Sequence, residues 1–282
     1  MTFLFWNING KQLLRQVAAL VLEHNVDVLI LAESLLDDRS LLRALRRARG
    51  AAFYSVPPLA SRVRIYSTLP KRFVKPIHDN GYMSIRRIIS PLGLDVLLVA
   101  MHLPSKLYHD ASAQHSSCTF WSSEIREAEK KVGHSKTLVM GDMNMNPFEL
   151  GMVDALGFHA TMDRKIAARI NRQVGGICRS FFYNPMWSHL GDSPALPPGT
   201  YFDDSGRQIN YFWNMFDQVL LRPDLLSYYE DENLKILTSA GSESLVNAEG
   251  YPTSKAGSDH LPVLLQLWNR QRSDAQDGRL MG

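Results

Sequence analysis

The chain opens with apolar runs that alternate with an amphipathic one. Residues 3–6 are continuously apolar and residues 26–32 are apolar apart from Asp27, whereas residues 12–24 carry apolar side chains at helical spacing. A continuously apolar strand is typical of a strand that is covered on both faces. The opening therefore predicts a β-α-β unit in a sheet flanked by helices, followed by a helix at 40–49 that ends at Gly50.

The pattern changes to short strands between residues 52 and 103. Five runs rich in β-branched and aromatic residues are separated there by Pro, Gly or Asn-Gly signals, which favour hairpins. The elements predicted beyond this region are a helix at 111–132, a strand at 137–140, a helix at 147–156 and strands at 218–221 and 262–268.

Residues 158–215 show little regular periodicity and many aromatic residues. A long irregular segment inside a compact domain is usually functional or disordered, and so many aromatic side chains favour order. Residues 269–282 have few apolar side chains to bury. We therefore predict one domain over residues 1–268, with an aromatic-rich insertion at about 158–215, and a flexible tail at 269–282.

The composition is that of an ordinary globular protein, with 45% apolar and 21% charged residues among 282. The formal net charge of +3 is small, although arginine and lysine cluster locally. Such clusters permit a polyanionic partner without requiring one. The two cysteines, Cys118 and Cys178, lack metal-binding spacing and predict free or buried thiols in a reducing compartment.

No apolar run approaches the roughly 20 residues that a membrane-spanning helix needs. The first ten residues also lack the basic segment and the small-residue cleavage site of a signal peptide. The sequence therefore predicts a cytoplasmic protein without a membrane span.

Polar side chains stand at the ends of the apolar strands. Each has an ordinary interpretation when taken alone, such as a turn residue, a helix cap or a partly buried histidine. Their coincidence favours a functional site, because burying unpaired charge costs several kcal/mol unless a partner or a metal compensates. The residues are Asn7, Glu33, His102, Asp142, Asn144, Asp217, Asp259 and His260.

The types of these residues match one kind of chemistry. Glu33 and Asp259 are hard oxygen ligands of the kind that Mg²⁺ or Mn²⁺ prefers. Asp142 can orient or deprotonate a water, and Asn144 can donate to a phosphoryl oxygen, while Asp217 can hold a histidine in one tautomer. Together they predict metal-assisted hydrolysis of a phosphate ester. A Walker-type loop, GxGxxG and GxSxG are all absent from the sequence.

The stretch LVMGDMNMNPFE, residues 138–149, predicts a buried strand that runs into a helix start. If the strand conformation continues past Gly141, Asp142 and Asn144 face the same side. Asn146, Pro147 and Glu149 have the pattern of an N-cap, a proline in the first turn and a capping-box acid.

Six short motifs resemble, in order, those of the endonuclease/exonuclease/phosphatase superfamily. This superfamily includes pancreatic-type DNases, abasic-site endonucleases, inositol-polyphosphate 5-phosphatases and bacterial sphingomyelinases. The resemblance implies a DNase-I-like fold of the α/β class, a four-layer sandwich in which two packed mixed β-sheets are flanked by helices. The motifs are WN at 6–7, the Glu of LILAES at 33, the His of AMHLPSK at 102, GDMN at 141–144, the Asp of FDQVLL at 217 and SDH at 258–260.

The resemblance also implies roles for the metal ligands and the phosphate-binding residues. Glu33 would bind the metal, and Asn7 and Asp259 would support or share that coordination. Asp142 would position the attacking water, and Asn144 would contact the phosphate.

Two histidines receive roles by the same resemblance. His260, oriented by Asp217, would stabilise the pentacoordinate phosphorus or take part in acid–base transfer. His102 would contact the phosphate or protonate the leaving group.

These observations predict a metal-dependent nuclease that cleaves DNA or RNA. The alternatives are a phosphatase or phosphodiesterase acting on a small phosphorylated molecule or a phospholipid, and a catalytically inactive binding module. Aromatic residues in the insertion could stack bases, although packing in a small satellite core explains each of them as well. The candidate substrate contacts are Lys106, Tyr183, Asn184 and Trp187, with Arg169, Arg172, Tyr201 and Trp213 beside them in the same hypothesis.

Overall fold

The computed structural model describes residues 1–56, 62–91, 93–105, 111–193 and 197–268. The predicted flexible tail and Lys106 lie outside these residues. Within them, no helix is both long and apolar enough to cross a membrane.

Strands supply the two central layers of the fold. In chain order they are β1 (Thr2–Asn7), β2 (Val28–Ala32), β3 (Tyr54–Val56), β4 (Val63–Ser67), β5 (Val74–Asp79), β6 (Met83–Ile89), β7 (Asp95–His102), β8 (Thr137–Asp142), β9 (Ala160–Thr161), β10 (Asn171–Val174), β11 (Ile177–Ser180), β12 (Phe182–Tyr183), β13 (Tyr201–Phe202), β14 (Trp213–Asn214), β15 (Asp217–Leu221), β16 (Leu234–Ile236), β17 (Ser239–Ala240), β18 (Glu243–Ser244) and β19 (Val263–Gln266).

Two large sheets contain most of these strands. The first has the order β16-β19-β1-β2-β4-β3, and the second has the order β5-β6-β7-β8-β15-β12-β9. In each sheet the central pair is parallel, β1 with β2 and β7 with β8, and the neighbours on either side are antiparallel. Strand ends and strand starts can therefore meet at one rim of the molecule.

In the part of the chain that the structure describes, five α-helices flank the sheets: α1 (Leu14–Glu23), α2 (Asp38–Arg49), α3 (Ala111–Val132), α4 (Leu150–Val153) and α5 (Arg164–Ala167). In α2, the Asp37 side chain accepts a hydrogen bond from the backbone N–H of Ser40, and Gly50 ends the helix with a φ of 64°. Short 3₁₀ helices at Lys71–Phe73, Pro185–His189, Pro223–Tyr228 and Asp231–Asn233 complete the helical elements.

Apolar packing joins these elements into layers. Ala100 and Met140 of the second sheet share one core with the strands of the first sheet. On the other side of the second sheet, Trp121 and Ile125 of α3 pack with Val99 in a second core. Helices α1 and α2 contact each other and belong to the first core. The predicted α/β arrangement of two mixed sheets flanked by helices is confirmed.

Two local predictions differ from the structure. The helix predicted at 147–156 is reduced to the single turn of α4, because Pro147 and Phe148 form a turn. The insertion at 158–215, predicted to be irregular, contains short elements from β9 to β14 and a 3₁₀ helix. Each of these elements has five residues or fewer, which is too short for a periodic pattern to reveal it in the sequence.

Candidate active site

Three neighbouring strands of the second sheet bring three ionisable side chains into one row. His102 ends β7, Asp142 ends β8 and Asp217 begins β15. The strand register pairs His102 with Asp142, and Asp142 with Asp217. Because β15 runs antiparallel to β8, the start of β15 lies beside the ends of β7 and β8. The three side chains therefore lie at one rim.

The first sheet delivers an amide and a carboxylate to the same place. Asn7 ends β1, and Glu33 directly follows β2. The Nδ2 group of Asn7 lies 3.2 Å from Oε1 of Glu33 and 3.0 Å from Oδ2 of Asp142, and it donates to both. This amide therefore connects the polar rims of the two sheets.

The loop that carries Asp259 and His260 is attached to the end of β1. The indole N–H of Trp6 donates to the backbone oxygen of His260 at 2.8 Å. The Nδ2 group of Asn9 donates to Oδ2 of Asp259 at 3.0 Å. Two independent hydrogen bonds thus hold the SDH motif over the rim.

His260 and Asp217 form a buried pair. Nδ1 of His260 lies 2.8 Å from Oδ2 of Asp217, and both side chains are almost completely buried. Burial lowers the pKa of His260, but its attraction to Asp217, their hydrogen bond and the charges of Asp142 and Asp259 outweigh that effect and raise the pKa to about 10. Burial raises the pKa of Asp217, which the imidazolium opposes. The pair therefore holds its proton through the neutral pH range.

The raised pKa of His260 predicts how the unfolding free energy of the protein depends on pH. A histidine whose pKa is about 10 in the folded state and near 6.5 when unfolded stabilises the fold fully below pH 6.5. This contribution is lost as the pH rises towards 10. The reference protein is the uncharged pair His260→Gln with Asp217→Asn, which keeps the size of both side chains.

We expect the difference in unfolding free energy between the natural pair and this reference to fall steadily from pH 6.5 to pH 10. Urea denaturation at several pH values, with EDTA present, measures it. A difference that grows with pH contradicts the assignment of the shared proton.

His102 lies near the carboxylates of Glu33 and Asp142, on the side of the site opposite to His260. Its Nε2 lies 3.4 Å from Oε1 of Glu33 and 3.7 Å from Oδ2 of Asp142. Nε2 of His260 is 4.0 Å from that same Asp142 oxygen. Asp142 is therefore the centre of the site, with a histidine on each side.

The GDMN segment turns sharply after Asp142, which corrects the prediction of a continuing strand. Asn144 has a φ of 49°, and its backbone N–H donates to Oδ1 of Asp142 at 2.8 Å. Its side-chain amide donates to the backbone oxygen of Leu103 at 2.9 Å. The two side chains are brought together by a turn rather than by the two-residue repeat of a strand.

Asn146 also differs from its predicted role as a helix cap. Its backbone N–H donates to Oε1 of Glu149, as in a capping box, but its side chain bonds to Asn214 and to the backbone of Met215. It therefore connects this turn to the segment that leads into β15.

Three residues at the rim have left-handed backbone conformations, and one of these is unfavourable for its residue type. Asn9, Glu33 and Asn144 have φ values of 45°, 49° and 49°, in the left-handed region. Asparagine tolerates this region, whereas glutamate adopts it rarely. Strain of this kind concentrates at functional sites.

Two cavities meet at the site. One, of about 600 Å³, is bordered by Asp142, Asn144, Asp259 and His260. The other, of about 690 Å³, is bordered by two arginines, Arg62 and Arg64, among other residues. Both are also bordered by Glu33 and His102, so the rim is accessible from two sides.

Carboxylate oxygens and histidine nitrogens lie close enough together here to hold a metal ion. One ligand atom each from Asp142, Asp217 and His260 lie within 4.8 Å of one another. Asp217 is hydrogen-bonded to His260 and does not border the cavity of about 600 Å³. The acidic residues that border it are Glu33, Asp142, Asp203 and Asp259. Such a set of hard oxygen donors fits a divalent cation.

The predicted substrate contacts in the insertion have different positions. Tyr183 is buried and pairs with Leu221, at the far end of β15 from Asp217. Asn184 is completely buried and donates to Gln218 at 2.7 Å. These two side chains are therefore part of the interior and border neither of the two cavities, and their contact with substrate stays an untested prediction.

Trp187 is partly exposed and packs against Phe148, with ring centroids 6.2 Å apart, so its contact with substrate stays a prediction. The same holds for Lys106, which lies outside the described residues.

The sequence interpretation missed the positions of three residues at the site. Asn9 was interpreted only as part of an Asn-Gly turn, which does not predict its hydrogen bond to Asp259. Arg207 borders the cavity of about 600 Å³, but it lies in a segment without periodicity. Tyr201, considered only for base stacking, packs against the His260 ring at 4.7 Å between centroids.

Solved structures of similar fold include DNA-processing proteins. The chain superposes on truncated Caenorhabditis elegans TDP2 with a TM-score of 0.53 and 19% identity, covering 95% of this chain and 97% of that one. It superposes on an AP endonuclease from Archaeoglobus fulgidus with a TM-score of 0.53 and 13% identity, covering 95% of this chain and 99% of that one. For D. rerio TDP2 complexed with a single-strand DNA product, the TM-score is 0.51 and the identity 15%, with 95% of this chain and 99% of that one covered.

These similarities show a shared fold. No curated protein sequence matches this chain. Residues 4–260, almost the whole chain, match the sequence profile of the Endonuclease/Exonuclease/phosphatase family. The chain is therefore a member of the Endonuclease/Exonuclease/phosphatase family, whose enzymes hydrolyse phosphate esters.

Proposed function

We propose that this protein is a divalent-metal-dependent nuclease that hydrolyses phosphodiester bonds of DNA or RNA. The convergence of His102, Asp142 and the Asp217–His260 pair on one accessible cavity carries this proposal. The DNA-processing proteins of the same fold support a nucleic acid as the substrate, since one of them was solved with a single-strand DNA product.

Glu33 and Asp259 would hold Mg²⁺ or Mn²⁺ at the rim, with Asn7 supporting that coordination. Bound there, the ion would neutralise negative charge on a phosphate. Glu33 has the more accessible carboxylate, since 42% of its side chain is exposed against 2% for Asp142. Asn7 cannot approach a cation through Nδ2, and its Oδ1 accepts from the backbone N–H of Asn9, so its contribution is to orient Glu33.

Asp142 orients the attacking water. Its Oδ1 accepts from the backbone N–H of Asn144, whereas Oδ2 accepts from Nδ2 of Asn7 and is the oxygen that faces the two histidines. Oδ2 is therefore the oxygen that accepts a proton from water. The amide of Asn144 has a second hydrogen beside the one given to Leu103, and this hydrogen can donate to a phosphoryl oxygen.

The two histidines stabilise the negative charge that develops on the phosphate. His260 is protonated at neutral pH, because its pKa is raised to about 10, and Asp217 fixes its ring through Nδ1. Its Nε2–H is then directed to the cavity side, near Asp142. His102 presents its own Nε2 from the other side, where it can donate to the leaving oxygen.

The proposal predicts that metal removal abolishes cleavage. Purified protein is incubated with fluorescent single- and double-stranded DNA and RNA, with Mg²⁺, with Mn²⁺ or with EDTA. We expect cleavage with either metal, none with EDTA, and recovery when the metal is restored in excess. If no nucleic acid is cleaved under any of these conditions, the nuclease proposal is wrong.

The cavity volumes of about 600 and 690 Å³ also suit a small phosphorylated molecule. A panel of inositol phosphates, nucleotides and sphingomyelin separates this second candidate from the first. Turnover of a member of the panel, without cleavage of nucleic acid, would favour a phosphatase or phosphodiesterase on the same site.

A further inference from the structure

Buried polar atoms lie behind His102, on the side away from the cavity. Within the described residues, Nδ1 of His102 and Oγ of Ser84 are buried without a hydrogen-bond partner. Oδ1 of the nearby Asp79 is also buried and contacts Nη1 of Arg86 at 2.8 Å. Most buried polar atoms in proteins are hydrogen-bonded, and leaving one unsatisfied costs about 1–3 kcal/mol. Two such atoms on neighbouring strands, beside a buried carboxylate, call for a common partner.

The strand register places these three side chains on one face of the second sheet. Ser84 of β6 stands opposite Ala100 of β7, and His102 lies two residues further along β7. Ser84 and His102 are therefore diagonal neighbours, about 7–8 Å apart along the sheet surface. Asp79 of β5 stands opposite Ser84 on its other side.

A serine side chain is too short to span this diagonal, but a single water molecule fills the remaining distance. Buried waters typically make about three hydrogen bonds to otherwise unsatisfied groups. We propose that one water is bound among Ser84, His102 and Asp79, and that Ser84 thereby acts as a positioning residue for His102.

The donors and acceptors around this water determine the proton on His102. Each oxygen of the Asp79 carboxylate contacts Arg86, Oδ1 at 2.8 Å and Oδ2 at 2.9 Å, and each can accept a second hydrogen bond but cannot donate one. The water therefore donates to Asp79 and to Nδ1 of His102, and accepts from the hydroxyl of Ser84.

The contacts of Nε2, on the other side of the His102 ring, require the hydrogen at the same position. Nε2 faces the carboxylates of Glu33 and Asp142, which are acceptors. The neutral ring is consequently fixed as the tautomer that carries its hydrogen on Nε2. In this form, His102 can donate to the phosphate that the proposed function places in the cavity.

The first measurement uses the resting protein and does not depend on the proposed function. Nitrogen-15 NMR of histidine-labelled protein, recorded at pH 9 with EDTA and without substrate, reports which ring nitrogen carries the hydrogen. A His102→Gln variant assigns the signal among the nine histidines. We expect hydrogen on Nε2 of His102. Hydrogen on Nδ1 in the wild-type protein overturns the inference, whether or not the variants below fold.

The second measurement compares Ser84→Val with Ser84→Thr, which have the same shape and differ in the hydroxyl. Ser84→Val displaces the water and supplies no donor, so we expect mixed tautomers and a kcat that is roughly tenfold lower at unchanged KM. Ser84→Thr keeps the donor, so we expect hydrogen on Nε2 and a kcat within about twofold of wild type.

Ser122→Ala serves as the control, because it removes another buried hydroxyl, on α3, that bonds to Arg126 instead. Equal kcat and equal tautomers in the valine and threonine variants would show that Ser84 does not position His102. In that case the activity of the wild-type protein still tests the nuclease proposal separately.

Discussion

Asp142→Asn is expected to lower kcat by about 10³-fold while leaving the protein folded. The substitution keeps the shape of the side chain and an oxygen for the N–H of Asn144. It removes the charge that accepts the proton of water and attracts the two histidines. General acid–base groups typically contribute 10²–10⁴-fold, and Asp142 also orients the water, which places the expected loss within that range.

The loss is measured as kcat with the best substrate of the nuclease panel and saturating metal. Asp192→Asn is the matched control, since Asp192 is an exposed carboxylate that borders neither of the two cavities. We expect the control to keep full activity. Urea denaturation in EDTA checks that Asp142→Asn stays folded, because the substitution relieves repulsion among carboxylates but weakens the contacts of Asp142 with Asn7 and with protonated His260. Activity within tenfold of wild type would remove Asp142 from the mechanism.

Gly141→Ala should unfold the protein or destabilise it by about 3 kcal/mol or more. A Cβ atom at this position would lie 2.0 Å from the backbone oxygen of Met101 and 2.8 Å from its backbone nitrogen. These atoms belong to the parallel strand β7, which is paired with β8 along its length. Neither strand can move away without breaking the sheet at the residues next to His102 and Asp142.

Gly81→Ala is the control for this substitution. A Cβ atom added to Gly81 would have no heavy atom within 4 Å, and Gly81 has no left-handed φ, so its replacement should change stability by less than about 0.5 kcal/mol. Thermal and urea unfolding of both variants, without metal, gives the comparison. A melting temperature of Gly141→Ala within one degree of wild type would show that β7 and β8 leave room for a side chain here.

The elements that the sequence predicted well are those whose own residues determine them. The helix predicted at 111–132 has those bounds in the structure, and the apolar run at 26–32 contains β2. The strand predicted at 262–268 likewise contains β19. The single domain at 1–268 and the flexible tail stay predictions.

The candidate site residues were found because charged side chains at the ends of apolar strands are exceptional. The sequence could not show which strands are neighbours, since pairing between β8 and β15 joins residues 75 positions apart (Asp142 with Asp217). The buried positions of Tyr183 and Asn184 depend on that same pairing. The sequence did not indicate a role for Ser84, because the proposed role depends on the position of Ser84 next to His102 on the neighbouring strand.

The left-handed backbone of Glu33 has a consequence for the evolution and engineering of this chain. The conformation costs glutamate about 1–2 kcal/mol, whereas glycine adopts it without penalty. Selection for yield or heat tolerance alone will therefore enrich glycine or asparagine at position 33, and each removes the carboxylate. Libraries screened only for folding will accumulate stable but inactive clones at this position, so such a screen needs a parallel measurement of turnover.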